Sequence, residues 1–312
     1  LNGKIFTAAI FIIVISWGMN YAYYHSKLLE KPIFLEHFYE AYIQDERQLT
    51  FYYLTNKQNA AEVSHVVIDG VEGVNVRNEH VGFWNDSGPR FNQEFRHHYL
   101  KSVTLEFRQD SMPLGELDST FTFETMEVFF QDQSTVIAEI GKVVFYPEDE
   151  YQRVFDSRMS SGSNQHRSEE ALVANEPLSI DRITIPFADK LAGEVAVKVD
   201  LDQERLKEFD ALKTGGDFPA WFEETRNNEW EDTPGISIDE GIFPLRLDSN
   251  EWLSLNMYFN PERTSFFEFS IQMEGATDKG ESFVHRSHII DAPNLNQQKV
   301  DQLVDAKKEG ED

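Results

Sequence analysis

The residues with most chemical potential lie between Asp200 and Glu240. Thirteen acids and four basic residues give that stretch a net −9 in 41 positions. Phe218, Trp221, Phe222 and Trp230 are interleaved with them. Aromatic faces beside carboxylates can hold a sugar, by stacking and hydroxyl hydrogen bonds, or a cation over the rings. Trp221, Phe222 and Trp230 are therefore ligand-binding candidates. The competing reading packs the rings onto a core and leaves the acids in water. The loop Gly82-Phe83-Trp84-Asn85-Asp86-Ser87-Gly88-Pro89 adds Phe83 and Trp84. Projecting, they make a binding loop; turned inward, they cap a core.

Metal chemistry has weaker support. Asp200-x-Asp202-x-Glu204 resembles the start of a calcium loop, since hard cations want clustered oxygens. Arg205-Leu206-Lys207-Glu208 stand where such a loop needs its turn glycine. His97 with His98, and His285 with His288, invite a zinc reading. On strands both spacings send the two rings to opposite faces, so neither pair chelates. No cofactor is expected.

Short enzymatic signatures are absent: no Gly-x-Ser-x-Gly elbow, no phosphate loop, no Gly-x-Gly-x-x-Gly and no His-Glu-x-x-His. Pairs such as Glu223-Glu224 carry little weight in a chain with 55 acids. The expectation is a protein without catalysis. An alternative is a polysaccharide hydrolase, which needs two carboxylates about 5–10 Å apart in a cleft. A cation-dependent sensor is a further alternative.

The elements that must position these residues begin with an unusual leader. No charge interrupts Ile5 to Tyr24, and twenty residues at 1.5 Å each give about 30 Å, a bilayer's hydrocarbon thickness. Trp17, Tyr21, Tyr23 and Tyr24 gather at its end, as interfacial aromatics do. Residues 1–26 are read as a transmembrane anchor, with Lys4 on the cytoplasmic side and the bulk extracytoplasmic. A cleaved signal peptide is the other reading, but Ser16-Trp17-Gly18 is a poor cleavage site.

The remainder reads as all-β. Val195, Val197, Val199 and Leu201 alternate with polar residues, as do Leu253, Leu255, Met257 and Phe259. Such alternation belongs to antiparallel strands with one buried face. Further strands are predicted at 33–43, 48–55, 62–69, 99–107, 121–130, 136–146, 267–273 and 283–290. Short strands separated by turn residues suggest two antiparallel β-sandwich domains in tandem behind the single transmembrane helix. They are placed at 33–156 and 178–293, the second with an acidic helical insertion. The serine-rich stretch 157–177 is expected to link them. A faint internal repeat sets an aromatic-rich hairpin after Tyr99-Leu100 and another after Trp252-Leu253. Helices are predicted at 203–212, stopped by Gly215-Gly216, and at 297–308. Residues 294–312 would form a docked helix or a frayed tail.

Charge sets the last bounds. The 312 residues carry 55 acids against 28 Lys plus Arg, a formal −27. That excludes a nucleic-acid partner and disfavours attraction of the body to an anionic surface. There is no cysteine, hence no disulfide, thiolate zinc site or cysteine nucleophile. The architecture resembles, in a general way, single-pass exported proteins of Gram-positive bacteria. The expected role is binding or assembly at the cell envelope, with an envelope protein or wall polymer as partner.

Overall fold

The computed structural model describes residues 3–43, 46–68, 71, 75–77, 91–113, 120–147, 153–163 and 165–309. It is mostly β, with several antiparallel sheets and one N-terminal apolar helix. In chain order, helix α1 (Gly3–Lys27) precedes β1 (Ile33–Phe34), β2 (His37–Ile43), β3 (Glu46–Asn56), β4 (Val63–Val67), β5 (Asn75–Arg77) and β6 (Gln93–Glu94). Then come β7 (His98–Arg108), β8 (Phe121–Phe130), β9 (Thr135–Pro147), β10 (Phe155–Ser163), β11 (Arg167–Ala174), β12 (Leu178–Thr184) and β13 (Val195–Asp200). After α2 (Gln203–Leu206) and α3 (Ala220–Arg226) follow β14 (Ile236–Ser237), β15 (Leu245–Leu247), β16 (Trp252–Phe259), β17 (Phe266–Thr277), β18 (Ser282–Asp291) and α4 (Gln297–Glu309).

One eight-stranded sheet runs through both halves of the chain, in the order β15-β12-β17-β2-β9-β8-β4, with β18 also on β17. A second sheet is built on β3 and β7, a third on β10-β11-β16-β13-β14. One apolar core contains Phe51, Leu105, Phe107, Val143 and Phe145, from β3, β7 and β9. Another contains Leu172, Val197, Leu255, Ile271 and Met273, from β11, β13, β16 and β17. Each half supplies one interior strand of a smaller sheet, β7 or β16, followed by a hairpin of the long sheet, β8–β9 or β17–β18.

Strand β2 departs from the antiparallel expectation. It pairs parallel with both β9 and β17, His37 standing opposite Gly141 on one side and Phe266 on the other. Six of its seven residues are buried, which is the pattern of a strand covered on both faces. Sequence alternation carries no information about strand direction. Here the chain reaches β2 from α1 and β1, so no tight hairpin forces an antiparallel neighbour.

The stretch 157–177 is not a connector. Residues 155–163 and 167–174 pair as the β10–β11 hairpin, with a register shift between Ser157 and Met159. Strand β10 lies at the edge of its sheet and buries Phe155 and Met159, while Ser157 and Ser160 stay exposed. That is why the segment's composition suggests a loop.

The C-terminal helix and the exit from α1 are both pinned to the body. In α4, Val300 and Val304 are fully buried in the core containing Phe51, so the C-terminal helix is docked rather than frayed. Gln93 donates to the Leu295 carbonyl at 3.0 Å, and the Gln297 side chain accepts the Arg96 N–H at 2.7 Å. At the end of α1, Lys27 pairs with Asp305 at 2.8 Å, and His98 Nε2 donates to the Lys27 carbonyl at 3.0 Å. Asn56 grips Leu29 twice, accepting its N–H at 2.9 Å and donating to its carbonyl at 2.7 Å.

Candidate functional site: the insertion over the third sheet

Strand β11 has two different faces. Leu172 and Ala174 point into one core, while Ala171 and Val173 lie on the other face with Met159 and Trp252. That second face is apolar and needs a cover. The segment after β13 supplies it: Leu206, Phe209 and Phe222 are buried on it, with Leu212 and Trp221 packed alongside. Helix α2 runs into a 3₁₀ segment, Lys207–Thr214, ending at Gly215 with φ +78, so the predicted glycine stop is observed. Helix α3 was not legible in the sequence, because it is seven residues long and Phe222 is its single buried residue.

Two cations hold this cover through backbone carbonyls. Arg167, buried on β11, donates to the carbonyl of Asn228 at 2.5 Å and to that of Thr225 at 3.4 Å. These carbonyls lie at and just beyond the C-terminal end of α3, where a cation offsets the helix dipole. Lys198 Nζ donates to the carbonyls of Trp230, Glu231 and Thr233 at 2.9, 3.1 and 3.0 Å. Neither residue was singled out from the sequence. The available signal was Arg167 and Glu169 on the strand face that continues as Ala171 and Val173.

Between cover and strand lies a recess. Glu169, Asp200, Ser254 and Asn256 contribute polar groups, and Phe209, Trp221 and Phe222 line it with rings. Its volume is about 20 Å³, room for one water molecule and none for a sugar ring. Burial raises the Glu169 carboxyl above its usual range, against the pull of Arg226 and Arg167. Its Oε2 has no hydrogen-bond partner. A carboxylate so placed favours its protonated form more than a wet one does.

The candidate residues fall as follows. Phe222 is buried, in edge contact with Phe209 at 5.3 Å. Trp221 is half-buried, with Arg205 over its ring at 5.0 Å and its Nε1 donating to Glu208 at 3.0 Å. Trp230 is half-buried and stacks on Tyr258 at 5.5 Å, with Lys198 over its ring at 4.8 Å. Both indoles therefore already carry a cation from this chain. Phe218 stacks on Phe222 at 5.2 Å and stays exposed. Phe83 and Trp84 lie outside the described residues.

Asp200, Asp202 and Glu204 do not converge on a cation. Asp200 pairs with Arg205 and accepts the Asp202 N–H at 3.1 Å. Asp202 caps α2 by accepting the Arg205 N–H at 3.2 Å. Glu204 is exposed. Among the described residues, no group of three or more His, Asp or Glu could hold a metal ion. The histidine pairs diverge as strand geometry requires: His285 is buried and His288 exposed, while His98 is fully buried and His97 faces Tyr24 at 5.4 Å.

A second buried polar cluster lies on the inner face. Glu170 accepts from Ser157 at 3.1 Å and lies 3.7 Å from His285 Nε2. Desolvation of Glu170 is its largest single influence, but the Ser157 hydrogen bond and the nearness of His285 and Ser287 outweigh it and hold its carboxyl below the usual range. His285 is enclosed by strands and by Phe155, whose ring is 5.3 Å away, so substrate has no path to it.

Comparison with known proteins adds little. No family model matches the chain, and no curated protein matches it. Among solved structures, the CupB2 chaperone of Pseudomonas aeruginosa is 10% identical, with a TM-score of 0.20, over 82% of this chain and 100% of that one. A superposition at that score transfers neither fold nor function.

Proposed function

We propose that this protein is a membrane-anchored extracytoplasmic binding or assembly module of the bacterial envelope, without catalysis. The observation that carries the reading is at α1. Residues Phe6–Lys27 form a 22-residue apolar span with mean hydropathy 1.5, none of it buried against the body. A helix with no apolar partner in its own protein needs a lipid one or a cleavage event. The residues at its end and just beyond are fixed to the body, Lys27 by Asp305 and His98, and Leu29 by Asn56, which sets the point where the span meets the body. The recess beside Glu169 holds a single water and leaves no room for a substrate. An envelope protein or wall polymer would then meet exposed surface or an open strand edge such as β10.

Membrane fractionation of the full chain tests this. The expected result is a full-length species that resists alkaline extraction and whose body is cut by protease added outside the cell. A soluble, shortened species lacking α1 would establish a signal peptide instead.

A further inference from the structure

The last turn of α1 and the last turn of α4 meet beside a groove of about 510 Å³. His25, Lys31, Lys307 and Lys308 line it, with Glu30 as the acid among them and Leu28 and Ile33 as apolar surface. In a chain of formal charge −27, three lysines against one glutamate is a local reversal of sign. Two segments 276 residues apart, from Lys31 to Lys307, supply it.

Its place matters as much as its charge. The groove opens immediately after Tyr21, Tyr23 and Tyr24, and His25 packs on Tyr21 at 4.3 Å. Interfacial tyrosines sit at headgroup level, so the groove lies at the depth of lipid phosphates. Some of its charge is engaged internally. Lys308 donates to the Ser26 carbonyl, and Lys307 lies 3.7 Å from Glu139. The latter pair is exposed on both sides and worth little. Lys31 is exposed and makes no ion pair among the described residues.

We infer that this groove takes the phosphate headgroup of an anionic lipid from the leaflet where α1 ends. Lys31 and Lys307 supply the charge, and Leu28 and Ile33 meet the glycerol and upper acyl carbons. The inference rests on the membrane reading of α1. The acidic body does not oppose it, because a tethered chain needs no long-range attraction to reach the bilayer. Beyond about 8–10 Å the body's charge is screened, while the lysines act in contact.

The test uses the full chain in detergent micelles, titrated with fluorescent phosphatidylglycerol. Saturable binding is expected, displaced by unlabelled phosphatidylglycerol and not by phosphatidylcholine. The K31E/K307E variant should weaken it by more than the roughly fivefold per lysine that loss of the charge alone would cost. K31Q/K307Q, with an unchanged thermal midpoint, guards against misfolding and should show a smaller loss in the same direction. Absence of saturation, or binding by both variants as tight as that of the unaltered chain, overturns the site. Displacement by inorganic phosphate at the same concentration also overturns it, because the occupant would then be a soluble anion. Nanodisc reconstitution separates the two levels. A chain that stays out of nanodiscs overturns the membrane reading and the site together; one that inserts but ignores phosphatidylglycerol overturns the site alone.

Discussion

The Glu40 carboxylate accepts the Ser270 N–H at 2.9 Å at the place where one edge of β17 changes partner. Residues 266–268 of β17 pair with β2, and residues 272–277 pair with β12. Ser270 falls between them, and a side chain does there what a backbone carbonyl does elsewhere in the ladder. The other oxygen of Glu40 accepts from Gln272 at 2.8 Å and from Tyr42 at 3.3 Å. One carboxylate thus closes the fork at which the N-terminal and C-terminal halves share a sheet.

Removing that acceptor should be costly. Glu40→Ala leaves the buried Ser270 N–H unpaired and should lower stability by about 1–3 kcal/mol. Glu40→Gln keeps one acceptor and should cost less. Burial raises the Glu40 carboxyl, so its contribution is greatest below the unfolded carboxyl's range and falls as pH rises through the folded value. Denaturant titration of the full chain in detergent at two pH values checks both points. Equal midpoints for the Ala and Gln variants would show that the fork is held by something else.

Most of the strands were legible because half-buried strands alternate. Strand β8 was expected at 121–130 and runs Phe121–Phe130. Strand β9 was expected at 136–146 and runs Thr135–Pro147. What stayed hidden depends on partners far away in the chain. The parallel pairing of β2 leaves no mark on its own residues beyond their near-complete burial. Ser160 to Ser163 make an edge strand out of a composition that favours loops. At the candidate site, the aromatics were visible from Trp221 to Trp230. The residues that fix them, Arg167 and Lys198, act through backbone carbonyls, which have no sequence signature.

His37 should make the fold sensitive to mild acid. Its ring is fully buried, and burial pushes its pKa down to about 3. The Tyr52 N–H donates to Nε2 at 2.9 Å, which requires that nitrogen to be unprotonated. The unfolded chain takes up a proton near pH 6.5, and the folded one resists to about 3. The stability this neutral ring contributes is therefore complete above pH 6.5 and is lost as pH falls from there towards 3. The loss approaches about 1.4 kcal/mol per pH unit at most. His37→Gln keeps an acceptor that does not titrate and should flatten the stability profile over that window. Parallel profiles for the two proteins would show that other groups set the acid limit.

Lys198 should hold the insertion locally rather than globally. Lys198→Met keeps the apolar stem and removes all three bonds to the carbonyls of Trp230, Glu231 and Thr233. The ammonium over the Trp230 ring is lost with them. Hydrogen exchange should accelerate over residues 228–236 while strands β3 and β7 stay protected. Exchange that rises evenly across the body would instead place Lys198 in the global fold.

Gly141 and Gly193 separate backbone strain from steric exclusion. Both have φ in the left-handed region, +88 and +80. A Cβ on Gly193 would meet nothing within 4 Å, so Gly193→Ala should cost only the left-handed penalty, about 1–2 kcal/mol. A Cβ on Gly141 would lie 2.5 Å from the His37 carbonyl oxygen and 2.7 Å from its nitrogen. Those atoms belong to the paired strand β2, so relief requires β2 and β9 to part at the residue that also carries the buried imidazole. Gly141→Ala should therefore cost about 3 kcal/mol or more and weaken protection at Tyr52, whose N–H the imidazole accepts. Thermal midpoints of the two variants, measured side by side, decide the matter. A loss at Gly141 no larger than that at Gly193 would mean that β2 does not sit against β9 as closely as the sheet requires.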